Sequence, residues 1–126
     1  MDVFIIKGKK INFSDLYVNA FYLCEDDRVL MLEFFGYYLE NKFIEEYCFI
    51  KIKNWKKARI RENKNGEWVD LEDMGSPMGI VTRILDVQNE NNTDRLSIDF
   101  ECFNNSYISI RFENHRIEFK EGRMLV

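Results

Sequence analysis

Apolar and polar residues alternate along the last third of the chain. In 96–102, LSIDFEC, and 107–113, YISIRFE, the even positions Leu96, Ile98, Phe100, Cys102, Ile108, Ile110 and Phe112 are all apolar. The odd positions are Ser97, Asp99, Glu101, Tyr107, Ser109, Arg111 and Glu113, of which only Tyr107 is largely apolar. Successive side chains of a strand point to opposite faces, so this period predicts strands with one buried and one wet side.

Register then suggests how the strands pair. A two-residue loop at Asn114-His115 would set Glu113 against Arg116, Phe112 against Ile117, Arg111 against Glu118 and Ile110 against Phe119. Apolar residues would meet apolar ones and charges their opposites, each pair contributing about 0.2–1 kcal/mol. Asn accepts the left-handed backbone of such a loop. A three-residue loop, Asn104-Asn105-Ser106, would likewise pair Phe103 with Tyr107, Cys102 with Ile108, Phe100 with Ile110, Ile98 with Phe112 and Asp99 with Arg111. On this reading 95–120 is a three-stranded antiparallel meander, and His115, the only histidine, sits at a bend.

Asn65-Gly66 is the strongest short turn signal. It would pair Ile60 with Leu71, Arg61 with Asp70, Arg59 with Glu72 and Lys64 with Glu67. A hairpin at Asp26-Asp27 would pair Glu25 with Arg28, Cys24 with Val29 and Leu23 with Leu30, greasy on both faces. Residues 79–88 read as a strand leading through NENNTD to Leu96, and 72–79 as a loop around the sole proline, Pro77. Leu39, Phe43 and Tyr47 recur every fourth residue, so 38–45 is either an irregular loop or a turn of helix, with a strand from about 46. The sum is eight to ten strands: an all-β single domain over 1–126, an antiparallel meander forming a β-sandwich or a partly open barrel, with at most one short helix. The sandwich is the favoured form.

Composition narrows the function classes. An apolar share of 46% with 15% aromatics excludes intrinsic disorder. A net charge of -4 argues against nucleic acid, which demands clustered positive charge. MDVFIIKGKK holds a four-residue apolar run, too short for a signal peptide, and no run approaches the ~18 residues of a membrane span. Three scattered cysteines, Cys24, Cys48 and Cys102, argue against a disulfide framework or zinc knuckle and fit a reducing cytoplasm. Abundant Asn, Lys and Ile fit an AT-rich bacterial genome.

No nucleophile elbow, phosphate loop or dinucleotide fingerprint occurs. A lone His115 lacks an obvious partner, and Cys48 and Cys102 fall on apolar strand phases, where a thiol behaves as a small hydrophobe. The chain therefore reads as non-enzymatic, with no catalytic, cofactor or metal site. Two charged stretches are candidate partner-binding residues. One is the turn Glu25, Asp26 and Asp27; the other is KIKNWKKARIR (51–61), with six basic residues, no acid and a central tryptophan. If Arg59 and Arg61 are matched across the sheet, Lys53, Trp55, Lys56 and Lys57 carry that patch. Tyr17, Phe21, Tyr22, Phe34, Phe35, Tyr37 and Tyr38 form a third cluster, suited to a core, a ligand cavity or a protein contact.

The order FSDLYVNAFYLCEDDRVLMLEF, FIKIKNW and LSIDFECFNNSYISIRFENHRIEF resembles small uncharacterised bacterial all-β proteins, some grouped with immunity proteins of polymorphic-toxin systems. The resemblance implies a non-enzymatic neutraliser whose partner is another protein, a toxin domain, with Glu25, Asp26 and Asp27 complementing a basic cleft. Homo-oligomerisation stays open. The alternative is a small-molecule-binding β domain with an apolar cavity.

Overall fold

Alternation becomes burial in the computed structural model, which describes residues 3–63, 65–73, 80–89 and 94–124. Thirteen strands among them form three antiparallel sheets, without an α-helix. The first sheet runs β1 (Val3–Ile6), β2 (Lys9–Asn12), β5 (Tyr37–Leu39), β6 (Lys42–Ile44). The second runs β10 (Val81–Asn89), β11 (Arg95–Cys102), β12 (Tyr107–Glu113), β8 (Lys57–Glu62), β9 (Val69–Asp70). The third runs β13 (Arg116–Glu121), β7 (Cys48–Lys53), β4 (Val29–Phe34), β3 (Ala20–Cys24). The architecture is all-β and sandwich-like, with no closed barrel. Strands exceed the expected eight to ten because pieces of two to four residues, such as β9 and β1, leave too short a pattern to read.

The hairpin expected at Asn114-His115 does not form. β12 pairs with β8, placing Phe112 opposite Ala58 and Glu113 opposite Lys57. β13 leaves for the other sheet and pairs with β7, placing Ile117 opposite Ile52 and Glu118 opposite Lys51. The chain makes the same crossing between β7 and β8. Residues 48–62 and 107–121 are thus two long antiparallel partners that bend together from one sheet into the other. At the bend Asn54-Trp55-Lys56 lies opposite Asn114-His115, one residue more on one side, as in a β-bulge. Asn54 (φ 56°) and Asn114 (φ 54°) both take the left-handed conformation there, and the Lys56 amide donates to the Glu113 carbonyl at 2.9 Å. The alternation was right about faces but ambiguous about partners: Glu113 pairs with Arg95 in one sheet, whereas Arg116 comes to lie opposite Lys53 in the other.

Other reversals follow the expectation to different degrees. The Asp26-Asp27 hairpin forms with Cys24 opposite Val29 and Leu23 opposite Leu30. β10 reaches β11 as expected, with Asn89 opposite Leu96, but two register shifts make every third residue buried: Val81, Ile84 and Val87. The β11–β12 loop is Phe103-Asn104-Asn105, one residue earlier than read, with Asn105 left-handed (φ 59°). Every partner therefore moves by two, so Phe100 faces Ile108, Ser97 faces Arg111, and Asp99 faces Ser109. The β8–β9 hairpin is offset in the same way, with Ile60 opposite Val69 and Arg59 opposite Asp70. Lys64 and residues 74–79, with Pro77, lie outside the described residues. Instead of loop or helix, 37–44 is the hairpin β5–β6, turning on Glu40 (φ 48°) and Asn41 (φ 68°).

One apolar cluster spans all three sheets, built from Phe4, Ile11 and Phe13, from Leu30, Leu32, Phe34, Ile50 and Ile52, and from Ile60, Ile98, Phe100, Ile110 and Phe112. Phe13 stacks on Phe34 at 4.0 Å between ring centroids, joining the first sheet to the third. Trp55 fills the bend, 4.9 Å from Phe112. Replacing Asn114 with Val should cost about 1–2 kcal/mol, since a β-branched residue resists positive φ, while Gly should be tolerated. Urea denaturation of the two variants checks this; equal stability would contradict the left-handed corner.

Candidate functional site

The structure brings part of the two charged stretches together. Glu25, Trp55, Lys56 and Lys57 line one shallow groove with Ala58, Asp70, Leu71 and Glu72. Trp55 is not the exposed aromatic that was expected; at 4% exposure it is core, and only its edge reaches the groove. Arg28 ties the two segments by donating to the Trp55 carbonyl at 2.9 Å and pairing with Glu72 at 3.8 Å. Lys53 stands apart, bonded to Glu118 at 2.5 Å. Arg59 meets Asp70 at 3.6 Å, and Arg61 and Arg111 lie over the Trp68 ring at 4.7 and 4.4 Å. Charges of both signs interleave here, so the basic stretch is no continuous cationic track. Asp26 and Asp27 are exposed at the β3–β4 turn.

His115 packs near Phe112, and its Nδ1 is buried without a hydrogen-bond partner among the described residues. Burial lowers its pKa, against a hydrogen bond to the Asp94 main chain that works the other way. Burial pushes the Cys48 thiol up to about 12 and raises Cys102 as well, so both are poor nucleophiles near neutral pH. Among the described residues no three His, Cys, Asp or Glu side chains gather as metal ligands, and no helix is long and apolar enough to cross a membrane.

The most distinctive surface is aromatic. Tyr17 is 69% exposed, Phe35 53% and Phe43 45%, and all three line a groove of about 300 Å³ with Leu16, Val18, Asn19 and Gly36. The Val18 amide donates to the Thr82 carbonyl at 2.8 Å and the Asn19 amide to the Glu33 carbonyl at 2.7 Å, holding Tyr17 outward from the loop before β3. The Arg83 guanidinium, fixed by Glu101 at 2.8 Å, lies over Tyr17 at 5.8 Å. Phe35 lies where the chain passes from β4 to β5, edge-on to Tyr47 at 4.8 Å. Phe43 covers Gly36, where a Cβ would come within 2.7 Å of its ring; only glycine leaves that space. The sequence showed Tyr17 and Phe35 as part of an aromatic cluster, but Phe34 and Tyr37 of the same cluster are core. Phe43 was missed because its hairpin was not recognised. The doublet Phe34-Phe35 gave no such signal, because β4 is covered on both faces and buries all six of its residues; Phe35 is exposed because the strand ends at Phe34.

Beneath this groove Glu33 is a buried carboxylate. It accepts from Asn19 Nδ2 at 2.7 Å and the Met124 amide at 2.5 Å, and pairs with Arg123 Nε at 3.3 Å. Arg123 also lies over Tyr47 at 4.2 Å. Burial alone would raise the Glu33 pKa, but these donors outweigh it and hold the carboxyl below its usual range. A lowered folded-state pKa contributes stability above the unfolded value of about 4.3 and loses it as pH falls through the folded value. Urea denaturation at stepwise lower pH should therefore show a shallower acid loss for Glu33→Gln than for the wild type; identical slopes would contradict the ionised latch. Comparison with protein-family models, with curated proteins and with solved structures gives no match to this chain, so the surface is read from its own geometry.

Proposed function

We propose that the chain is a non-enzymatic protein-binding domain that docks its partner on the Tyr17–Phe35–Phe43 groove. The observation that carries this reading is three large aromatic rings exposed on one groove, Tyr17 beside hydrogen-bonded backbone, Phe43 in a paired strand and Phe35 directly after one. Interface hot spots favour aromatic anchors of this kind, and rings on fixed backbone lose little conformational freedom on binding. The interior gives less support to a small-molecule site, because the stacked Phe13 and Phe34 occupy the centre where an apolar cavity would lie.

The finer reading, a cytoplasmic bacterial immunity protein that neutralises a toxin domain, rests on the resemblance of segment order and on the exposed acids Asp26 and Asp27 beside Glu25. These acids lie at the opposite end of the β3–β4 hairpin from the rings, where they speed encounter with a basic partner while the rings set how long it stays. The partner to test is a toxin domain encoded beside the gene. It should form a stable complex, and Tyr17→Ser with Phe43→Ser should weaken that complex by more than about tenfold with little change in thermal stability. Calorimetric titration checks both. Undiminished binding by the double variant would refute the groove, and absence of any complex would refute the toxin partner.

A further inference from the structure

A second groove, on a different part of the molecule, carries an inference of its own. It runs between the β1–β2 hairpin and β13 and has a volume of about 280 Å³. Its floor is apolar: Ile6 and Ile11 from the hairpin, Ile117 and Phe119 from β13. Its rim is mainly cationic, with Lys7, Lys9 and Lys120 exposed and in no salt bridge among the described residues, beside Glu118. The carboxylates of β13 are already engaged elsewhere. Glu118 bonds Lys53 at 2.5 Å, which lowers its pKa, and Glu121 accepts from the Tyr37 hydroxyl. A protein with a net charge of -4 therefore gathers three lysines around one greasy trough, whose lining carboxylate, Glu118, is held by Lys53.

The groove also follows a sheet edge. β13 is the outermost strand of its sheet and has one strand neighbour, β7, among the described residues. Four consecutive residues, 117–120, line the trough, so side chains from both faces of β13 border it. As the outermost strand, β13 keeps one edge without a ladder partner among the described residues, with β1 near part of it, and such an edge is a template for another strand. Edge strands are often protected by lysines, and here the lysines stand where they would also meet acidic side chains of an incoming segment.

We infer that this groove binds an extended acidic segment of a partner protein by strand addition to β13, its apolar side chains on Ile6, Ile11, Ile117 and Phe119 and its carboxylates at Lys7, Lys9 and Lys120. Charge complementarity selects the acidic character; the edge of β13 without a ladder partner and the open trough select an extended peptide over a compact ligand. The site is separate from the aromatic groove and does not rest on it.

The test is nuclear magnetic resonance titration of the full chain with a synthetic peptide of about six residues alternating Val and Glu, a typical strand length and that of β13. A Val–Lys peptide, a Val–Glu peptide N-methylated at alternate residues, and dodecanoate serve as comparisons. The Val–Glu peptide should shift the amides of 6–11 and 117–120 and slow hydrogen exchange along β13. The Val–Lys and N-methylated peptides should bind at least about tenfold more weakly, as should the Val–Glu peptide to Lys9→Glu/Lys120→Glu, a surface change that leaves the core intact. Tyr17→Ser/Phe43→Ser should bind it as the wild type does, so failure of one groove is distinguishable from failure of the other. Absence of binding, binding indifferent to N-methylation or charge reversal, or dodecanoate binding without slower exchange in β13 would each overturn the inference.

Discussion

The fold depends on two strands that serve both large sheets. Residues 48–62 and 107–121 stay paired with each other from end to end, yet each begins in one sheet and finishes in the other. Neither large sheet can form without them, since β7 is bordered by β13 and β4, and β12 by β11 and β8. The bend has a definite chemistry. Asn54 and Asn114 accept positive φ at little cost, the extra residue on one side absorbs the change of direction, and Trp55 fills the wedge against Phe112. Turning two paired strands together keeps the backbone hydrogen-bonded through the corner, which a buried bend requires.

How much of this was legible follows from what alternation encodes. Period two gives the face of each residue, and the buried positions of β7, β11 and β12 are the apolar ones read from the sequence, with Ser97 the one polar addition. It does not give the partner. Phe112 can pack on Ile117 in a hairpin or on Ala58 in a neighbouring sheet with the same inward direction, and Arg116 can face Glu113 or, as found, follow β7. Turn residues gave the register at Asp26-Asp27 but not at Asn65-Gly66, the stronger signal, and a one-residue error at Asn104 moved every pair by two while leaving the faces unchanged. The many asparagines looked like genome composition. Five of them, Asn41, Asn54, Asn63, Asn105 and Asn114, occupy left-handed positions at turns and crossings.

The candidate surface was half visible for a related reason. Aromatic residues near the N-terminus stood out, but whether a ring faces core or solvent depended on strand boundaries that short elements conceal. Tyr17 and Phe35 project outward because Val18, Asn19 and Glu33 tie their neighbours to the sheets, long-range bonds that composition does not show. Trp55 erred in the opposite direction: in a basic stretch it looked exposed, and the sheet crossing buries it. The sheets thus leave rings outward at one groove and lysines beside an apolar trough at another, both on backbone anchored by the same core.

The most direct measurement is the set of interstrand proton contacts across the corner. Nuclear Overhauser effects between Phe112 and Ala58 and between Ile117 and Ile52 are the predicted result. Backbone contacts placing Phe112 opposite Ile117 would close a simple hairpin at Asn114-His115 and contradict the shared, bent strand pair.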